Sequence, residues 1–534
     1  MQTLVIGLDG VCLSVLEPLM DEDVVPTLAE IRSGGAAGPL RSQLPPWTPS
    51  AWPSMYTGVN PGKHGVYSFL HFDGYDWDVV NRSHVKEFAV WELLSMNGFS
   101  SVVLNVPATH PPREFDGVLV PGYIAPEGAA CHPSGVWTEL QEELGGYSLY
   151  ANTLRANASD GGLAEGLSRL TRMRGDAFRY LVEKHDPDFG FVQFQATDTV
   201  YHQFPGDEAV IRGVYSAVDH EVSQILDACN PDLTLVVSDH GLGSIDGREF
   251  RVNEYLRENG YVATTTGSGM PSWKSLAADE TENAGWTDAA ESLAAKTLEQ
   301  AARIGITSQR IGAVLRRLGV EDRVLETVPI DLVRAGTEQT DFAASTAYMR
   351  VRTEMGVRLN LEGREPDGVV SPENYEQIRT ELMKALEGVM TPEGDPVFEA
   401  VYRREAVFDG PYVDDAPDIV TVPNRFDHFL VATHKGATFG DPTEPWEHKR
   451  DGVVMATGDD IDPETNLDGA HLFDVTPTIL TSFGLPVGER MDGGPLSVVD
   501  SAARTTYPSF SPAETVATDD VAVEDRLSDL GYLE

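Results

Sequence analysis

The run Leu233-Thr234-Leu235-Val236-Val237-Ser238-Asp239-His240-Gly241 joins an uninterrupted apolar stretch to an acid–imidazole pair. A continuous β-branched run of that length, entered through a turn at Asn230-Pro231, reads as a strand buried on both faces, as in a parallel sheet. In open α/β sheets, ligand groups gather just beyond the carboxyl ends of the strands. Asp239 and His240 at that end offer a hard oxygen and an imidazole nitrogen side by side. The plainer alternative is a turn in which the aspartate caps a helix and the histidine is solvated.

Other stretches repeat the pattern. Thr3 to Leu8 reads as a buried strand ending at Asp9-Gly10, and Phe189 to Phe194 as another, followed by Asp198 and, four residues on, His202. At that spacing a helical backbone turns both side chains to one face, so an oxygen and a nitrogen can converge on one cation. Ser101 to Leu104 delivers Asn105 to the same edge, either to donate to a substrate oxygen or as a turn asparagine. Gly117 to Val120 is a further strand, and helices are expected from Pro26, over Leu163–Glu183 and over Asp207–Cys229. His448 precedes the apolar Val453-Val454-Met455-Ala456, from where an imidazole can reach the same edge. His471, ahead of a short helix, reads as structural.

The stretch Pro46-Trp47-Thr48-Pro49-Ser50-Ala51-Trp52 places hydroxyl residues at the expected start of a helix. Free N–H groups and the positive dipole end suit a phosphoryl or sulfuryl oxygen there, although Thr48 or Ser50 could simply be an N-cap. Pro61-Gly62-Lys63-His64-Gly65 lacks Walker A spacing, and its Lys63 and His64 read as loop-positioning residues.

Composition narrows the partners. Against 39 basic residues stand 84 acidic ones, a net charge of −45 spread over all 534 residues. Such a surface disfavours nucleic-acid polymers and anionic membranes. It suits a halophilic protein, because molar salt screens self-repulsion over about 3 Å. Cys12, Cys131 and Cys229 give neither a disulfide framework nor a thiolate metal site. With no signal-peptide pattern and no long apolar span, a cytoplasmic location is expected.

Together, Asp9, Thr48, Asp198, His202, Asp239, His240 and His448 are mixed oxygen and nitrogen donors on strand ends with one hydroxyl nucleophile. Two-metal phosphoryl transfer needs such a set, with cations about 4 Å apart. Carboxylate and imidazole donors suit zinc or manganese better than calcium.

The order and context of these motifs resemble the alkaline phosphatase superfamily, in particular its type I phosphodiesterase/nucleotide pyrophosphatase branch. The resemblance also rests on Gly7-Leu8-Asp9-Gly10, Thr57-Gly58, Gly363-Arg364-Glu365-Pro366 and Asp474-Val475-Thr476-Pro477-Thr478. It implies a three-layer α/β/α fold with a mostly parallel central sheet. It also implies one metal on Asp9, Asp239, His240 and Thr48, and another on Asp198, His202 and His448. Thr48 would attack phosphorus to give a phospho-threonine that water hydrolyses, with a small phosphoester as substrate. The family's phosphate-binding asparagine has no clear counterpart beyond Asn105.

Residues 1–266 and 341–500 are expected to form the catalytic domain, 267–340 a helical insert that could cap the site, and 501–534 an acidic extension with a short helix over Arg526–Tyr532. Alternatives within the superfamily are a phosphomonoesterase or phosphomutase. Outside enzymology, the alternative is a non-catalytic binding or glycan-assembly protein. Thr48-Pro49-Ser50-Ala51-Trp52 lacks the Cys/Ser-x-Pro-x-Arg context of a sulfatase, and the Thr48–Asp198 interval lacks the second domain of a cofactor-independent mutase. The acidic surface predicts activity in molar KCl that is lost on dilution into low-salt buffer, which turnover measured across a KCl series checks.

Overall fold

The computed structural model describes residues 1–151, 162–266, 338–512, 515–518 and 523. Seven strands form the central sheet: β1 (Thr3–Leu8), β2 (Ala36–Arg41), β3 (Ser101–Leu104), β4 (Gly117–Val120), β5 (Phe189–Phe194), β6 (Leu233–Val237) and β7 (Asp451–Gly458). Their order is β2-β7-β6-β1-β5-β3-β4. β1 pairs in parallel with both β5 and β6, and β3 with β4 and β5, while β7 runs antiparallel to β6 and β2. Every residue of β1, β5 and β6 is buried, which is why these runs are apolar without alternation.

Helices cover both faces. Five matter here: α1 (Thr48–Thr57), α2 (Gly162–His185), α3 (Ala196–Gln203), α4 (Glu208–Cys229) and α5 (Val475–Ser482). A Cβ on Gly7 would meet the Trp52 ring of α1 at 2.5 Å, and one on Gly190 would meet Phe178 of α2 at 2.9 Å. Gly190 lies opposite Leu4 in the register, an odd number of residues from Gly7, so α1 and α2 sit on opposite faces. The protein is therefore a three-layer α/β/α fold with a mostly parallel sheet. α4 packs on α2, capped by the Asp207 side chain accepting from Val210 N, while α5 packs on α1.

One antiparallel strand at this position has a consequence for the site. Parallel strands present their carboxyl ends at one edge, and an antiparallel neighbour presents its amino end there. The segment Trp446–Lys449 leading into β7 pairs antiparallel with Gly241–Ser244, just after β6, and sets His448 opposite Leu242. His448 is thereby carried to the edge that holds His240.

A second core lies between β6 and β7 in the chain. Ala347–Tyr348, Gly356–Leu359, Ile419–Pro423 and Phe398–Arg403 form an antiparallel sheet in that order, with helix Pro372–Glu387 packed on its last strand. Residues 267–337 of the expected helical insert lie outside the described residues. Its last residues depart from the expectation: Glu338–Asp341 is a strand pairing with Ala263–Thr266. Of the C-terminal extension, Arg504–Thr505 pairs with Val487–Gly488, and Thr518 N donates to Asp78 at 3.0 Å; the expected helix at 526–532 is outside the described residues.

The Gly363-Arg364-Glu365-Pro366 motif belongs to this second core. Arg364 grips buried Asp418 with two 2.7 Å hydrogen bonds, and Tyr375 and Leu359 N add bonds of 2.6 and 2.7 Å. Burial alone would raise the Asp418 pKa, but the bonds and charge of Arg364, with Arg358 behind, bring it down to about 2. A folded-state value below the unfolded one stabilises the fold fully above about pH 4, and the effect is lost as pH falls through the folded value. Asp418→Asn should cost about 3–5 kcal/mol at neutral pH by stranding buried arginine. It should also flatten the loss of stability on acidification below about pH 4, as urea unfolding at several pH values will report.

Candidate active site

The edge around the β1 end gathers all seven donors. Asp9 follows β1 directly, Asp198 and His202 lie one turn apart on α3, and Asp239-His240 follow β6. Thr48 is the first residue of α1, whose N-cap is the backbone of Trp47 with no side-chain cap. Ser50 does not cap the helix either: its hydroxyl donates to Val66 O at 3.1 Å. The nucleophile candidate is thus free of a capping role and stands at the positive end of a ten-residue helix.

Its surroundings are tight. Thr48 Oγ1 donates towards Asp9 Oδ1 at 3.4 Å and lies 3.4 Å from His240 Nε2. His240 Nε2 is 3.3 Å from Asp239 Oδ2 and 3.6 Å from Asp9 Oδ1. On the other side, Asp198 Oδ1 is 3.4 Å from His202 Nε2 and 3.8 Å from His448 Nε2. The His240 and His448 rings stack at 3.7 Å, and Trp47 lies against His448 at 4.3 Å.

Two ligand groupings emerge among the described residues. Donor atoms of Asp9, Asp239 and His240 lie within 4.8 Å of one another, and so do those of Asp198, His240 and His448. The first is the expected set. In the second, His240 stands where His202 was expected, and His202 approaches through Asp198, its ring centre 5.6 Å from that of His448.

Electrostatics explain why such a set needs a cation. Asp9, Asp198 and Asp239 are all but completely buried. Burial, and then the charges of Asp239 and Asp198, push the Asp9 carboxyl well above its usual range; burial and Asp198 do the same to Asp239. Burial would also raise Asp198, but His202 outweighs it and holds that carboxyl down. Burial, then His240 and His202, lower His448, favouring the neutral ring that can ligate. Among the described residues, buried Asp198 Oδ1 and Asp239 Oδ2 meet no hydrogen-bond donor at bonding geometry. Oxygens that lack donors, beside imidazole Nε2 atoms, fit divalent cations.

Asn105 sits in a turn at the same edge. Its backbone takes a left-handed turn at the end of β3, with φ of 65°. The buried side chain donates to Gln193 O at 3.0 Å and Gln193 Oε1 at 2.6 Å. Gln193 Nε2 in turn donates to Asp9 Oδ2 at 2.6 Å, and Trp52 Nε1 to the same oxygen at 3.1 Å. Asn105 is thus linked to Asp9 through Gln193. The signal for Gln193 was a lone amide inside the apolar run Phe189-Gly190-Phe191-Val192-Gln193-Phe194.

The loop residues fall as expected. His64 bonds Ser54 Oγ at 2.9 Å and Val66 N at 3.2 Å, and Lys63 binds Asp492. His471 accepts from Phe473 N at the head of a short helix. Thr476 of the Asp474–Thr478 motif donates to Met55 O at 2.7 Å and so ties α5 to α1.

A hydroxyl at a helix N-terminus, set against clustered carboxylate and imidazole donors on this fold, defines a phosphoester hydrolase of the alkaline phosphatase superfamily. The chain belongs to the type I phosphodiesterase/nucleotide pyrophosphatase family, whose model matches residues 3–326. That span contains every site residue except His448. No curated protein matches the chain. Phosphonoacetate hydrolase from Sinorhizobium meliloti, in complex with phosphonoformate, is similar in structure at a TM-score of 0.53 and 14% identity, covering 89% of this chain and 94% of that one. The alkaline phosphatase PafA aligns at 0.52 and 12%, over 93% and 98% of the two chains. Human ectonucleotide pyrophosphatase/phosphodiesterase 5 aligns at 0.51 and 11%, over 94% and 100%. At these identities the three show the shared fold. None of the described helices is long and apolar enough to cross a membrane.

The Asp9 network makes a prediction. Gln193→Leu removes the shorter of two donors from Asp9 Oδ2. It should weaken divalent-cation affinity about 10- to 100-fold, read by calorimetric titration of chelator-stripped protein.

Proposed function

We propose that the protein is a phosphodiesterase or nucleotide pyrophosphatase that works through a covalent phospho-threonine at Thr48 and two divalent cations, zinc or manganese. The observation that carries this reading is the Thr48 hydroxyl, 3.4 Å from both Asp9 Oδ1 and His240 Nε2 at the head of α1. Asp9, Asp239 and His240 would hold one cation beside Thr48, and Asp198, His202 and His448 the other. The bound cations would supply Lewis-acid stabilisation of the oxygens that gain charge.

The chain's own residues do the rest. Pro49 carries no N–H, and Ser50 N and Ala51 N donate to Trp47 O, so the Thr48 N–H and the positive end of α1 would face the equatorial oxygens of a phosphoryl group attacked there. Thr48 gives up its hydroxyl proton to water, its oxygen bonds to phosphorus in line with the leaving oxygen, and that P–O bond breaks, the leaving oxygen taking a proton from water as it departs. A water then attacks phosphorus, releasing the Thr48 oxygen, with net retention after two inversions. The family model that matches residues 3–326 supports the diesterase reading.

The test is hydrolysis of bis-p-nitrophenyl phosphate against p-nitrophenyl phosphate, with zinc or manganese in molar KCl. Diester turnover should exceed monoester turnover, and Thr48→Ala should lower it by on the order of 10³-fold or more. Turnover untouched by Thr48→Ala would remove Thr48 from the mechanism, and monoester preference would make the enzyme a phosphatase.

A further inference from the structure

Three histidines face the site, and each ring is turned by what its Nδ1 meets. Nδ1 of His240 lies 3.0 Å from Gly241 O, and Nδ1 of His448 lies 3.1 Å from Pro46 O. A carbonyl only accepts, so both rings carry their proton on Nδ1 and present the Nε2 lone pair to the site. His202 also presents Nε2 to Asp198, but its Nδ1 lies 3.0 Å from a carboxylate oxygen, Glu444 Oε2. Glu444 is a quarter exposed, while the His202 side chain is buried.

The difference is one of charge. A carbonyl fixes tautomer and orientation. A carboxylate does both and also makes the opposite nitrogen more basic, hence a stronger donor to a cation. Glu444 stands four residues before His448 on the segment that enters β7. One short piece of chain therefore supplies a donor to the site and the partner of another donor on α3.

We propose that Glu444 is a positioning residue that holds His202 through Nδ1 and strengthens the cation position shared by Asp198, His202 and His448. The inference rests on the two-cation reading above. It makes the two positions unequal: one has its imidazole set by a backbone carbonyl alone, the other by a carbonyl on His448 and a carboxylate on His202.

The test uses the full chain, stripped with chelator and titrated with zinc by calorimetry, as wild type and as Glu444→Ala, Glu444→Gln and Glu444→Asp. Wild type should take two equivalents. Glu444→Ala should weaken one of them about 10- to 100-fold and leave the other unchanged. Glu444→Gln can still accept from Nδ1 but lacks the charge, and should fall between the two. Glu444→Asp should recover some of the loss. In zinc-loaded protein, the proton NMR signal of His202 Nδ1–H should move upfield in Glu444→Gln. With limiting zinc, turnover by Glu444→Ala should fall, and saturating zinc should restore it. Wild-type affinity for both equivalents in Glu444→Ala would overturn the proposal, as would equal weakening of both, which marks a merely structural role. A wild type that binds neither zinc nor manganese would overturn the two-cation reading itself.

Discussion

Three carboxylates, Asp9, Asp198 and Asp239, lie buried at one edge of the central sheet, close enough that the charge of Asp198 raises the proton affinity of the other two. Gathering like charges away from water is unfavourable unless something answers them. The answers within the chain are partial. Asp9 Oδ2 receives Trp52 and Gln193, Asp239 Oδ1 receives Gly10 N at 3.3 Å, and Asp198 leans on His202. What is left over points inward, towards Thr48 and three imidazoles. The surrounding architecture is the apparatus that keeps this unfavourable group together.

The sheet does so by strand order. With β6 and β5 on either side of β1, three parallel strands deliver their following residues within a few ångströms. The reversed β7 adds a fourth from the opposite chain direction, through the ribbon that pairs His448 with Leu242. The second core steadies this arm from outside. Arg352 donates to Glu447 at 2.7 Å, and its guanidinium lies 4.4 Å from the Phe429 ring. Glu447 directly precedes His448, so the second core reaches the site through a buried ion pair next to a donor.

Legibility in the sequence followed distance along the chain. β1, β5 and β6 were readable because burial on both faces leaves an apolar run, and the donors after them were readable because such strands place ligands at their ends. His448 was readable only as an imidazole ahead of an apolar run; that its strand runs backwards depends on pairings far apart in the chain. The second core was not resolved from the sheet, since its strands are two to six residues long and pair with distant segments, Gly356 with Val420 for example. Asn105 was placed at this edge, as a substrate donor or a turn asparagine, and its bonds to Gln193 were not foreseen. A left-handed turn sends its amide into the sheet, and no local signal announces φ for an asparagine. Glu444, in an acidic surface segment, looks like any other carboxylate until His202 is beside it.

The motif Gly7-Leu8-Asp9-Gly10 shows how closely the elements are fitted. A Cβ on Gly7 would strike the Trp52 ring at 2.5 Å, and that ring carries the N–H that holds Asp9 Oδ2. A Cβ on Gly10 would meet Asp198 Oδ1 at 2.9 Å, and Gly10 itself has φ of 67°. One glycine admits the helix that bears Thr48, and the other admits the carboxylate from α3. Any side chain at either position would push apart elements that have to meet at Asp9. The glycines around the aspartate therefore record how near the nucleophile helix and the second donor set must come to the first strand.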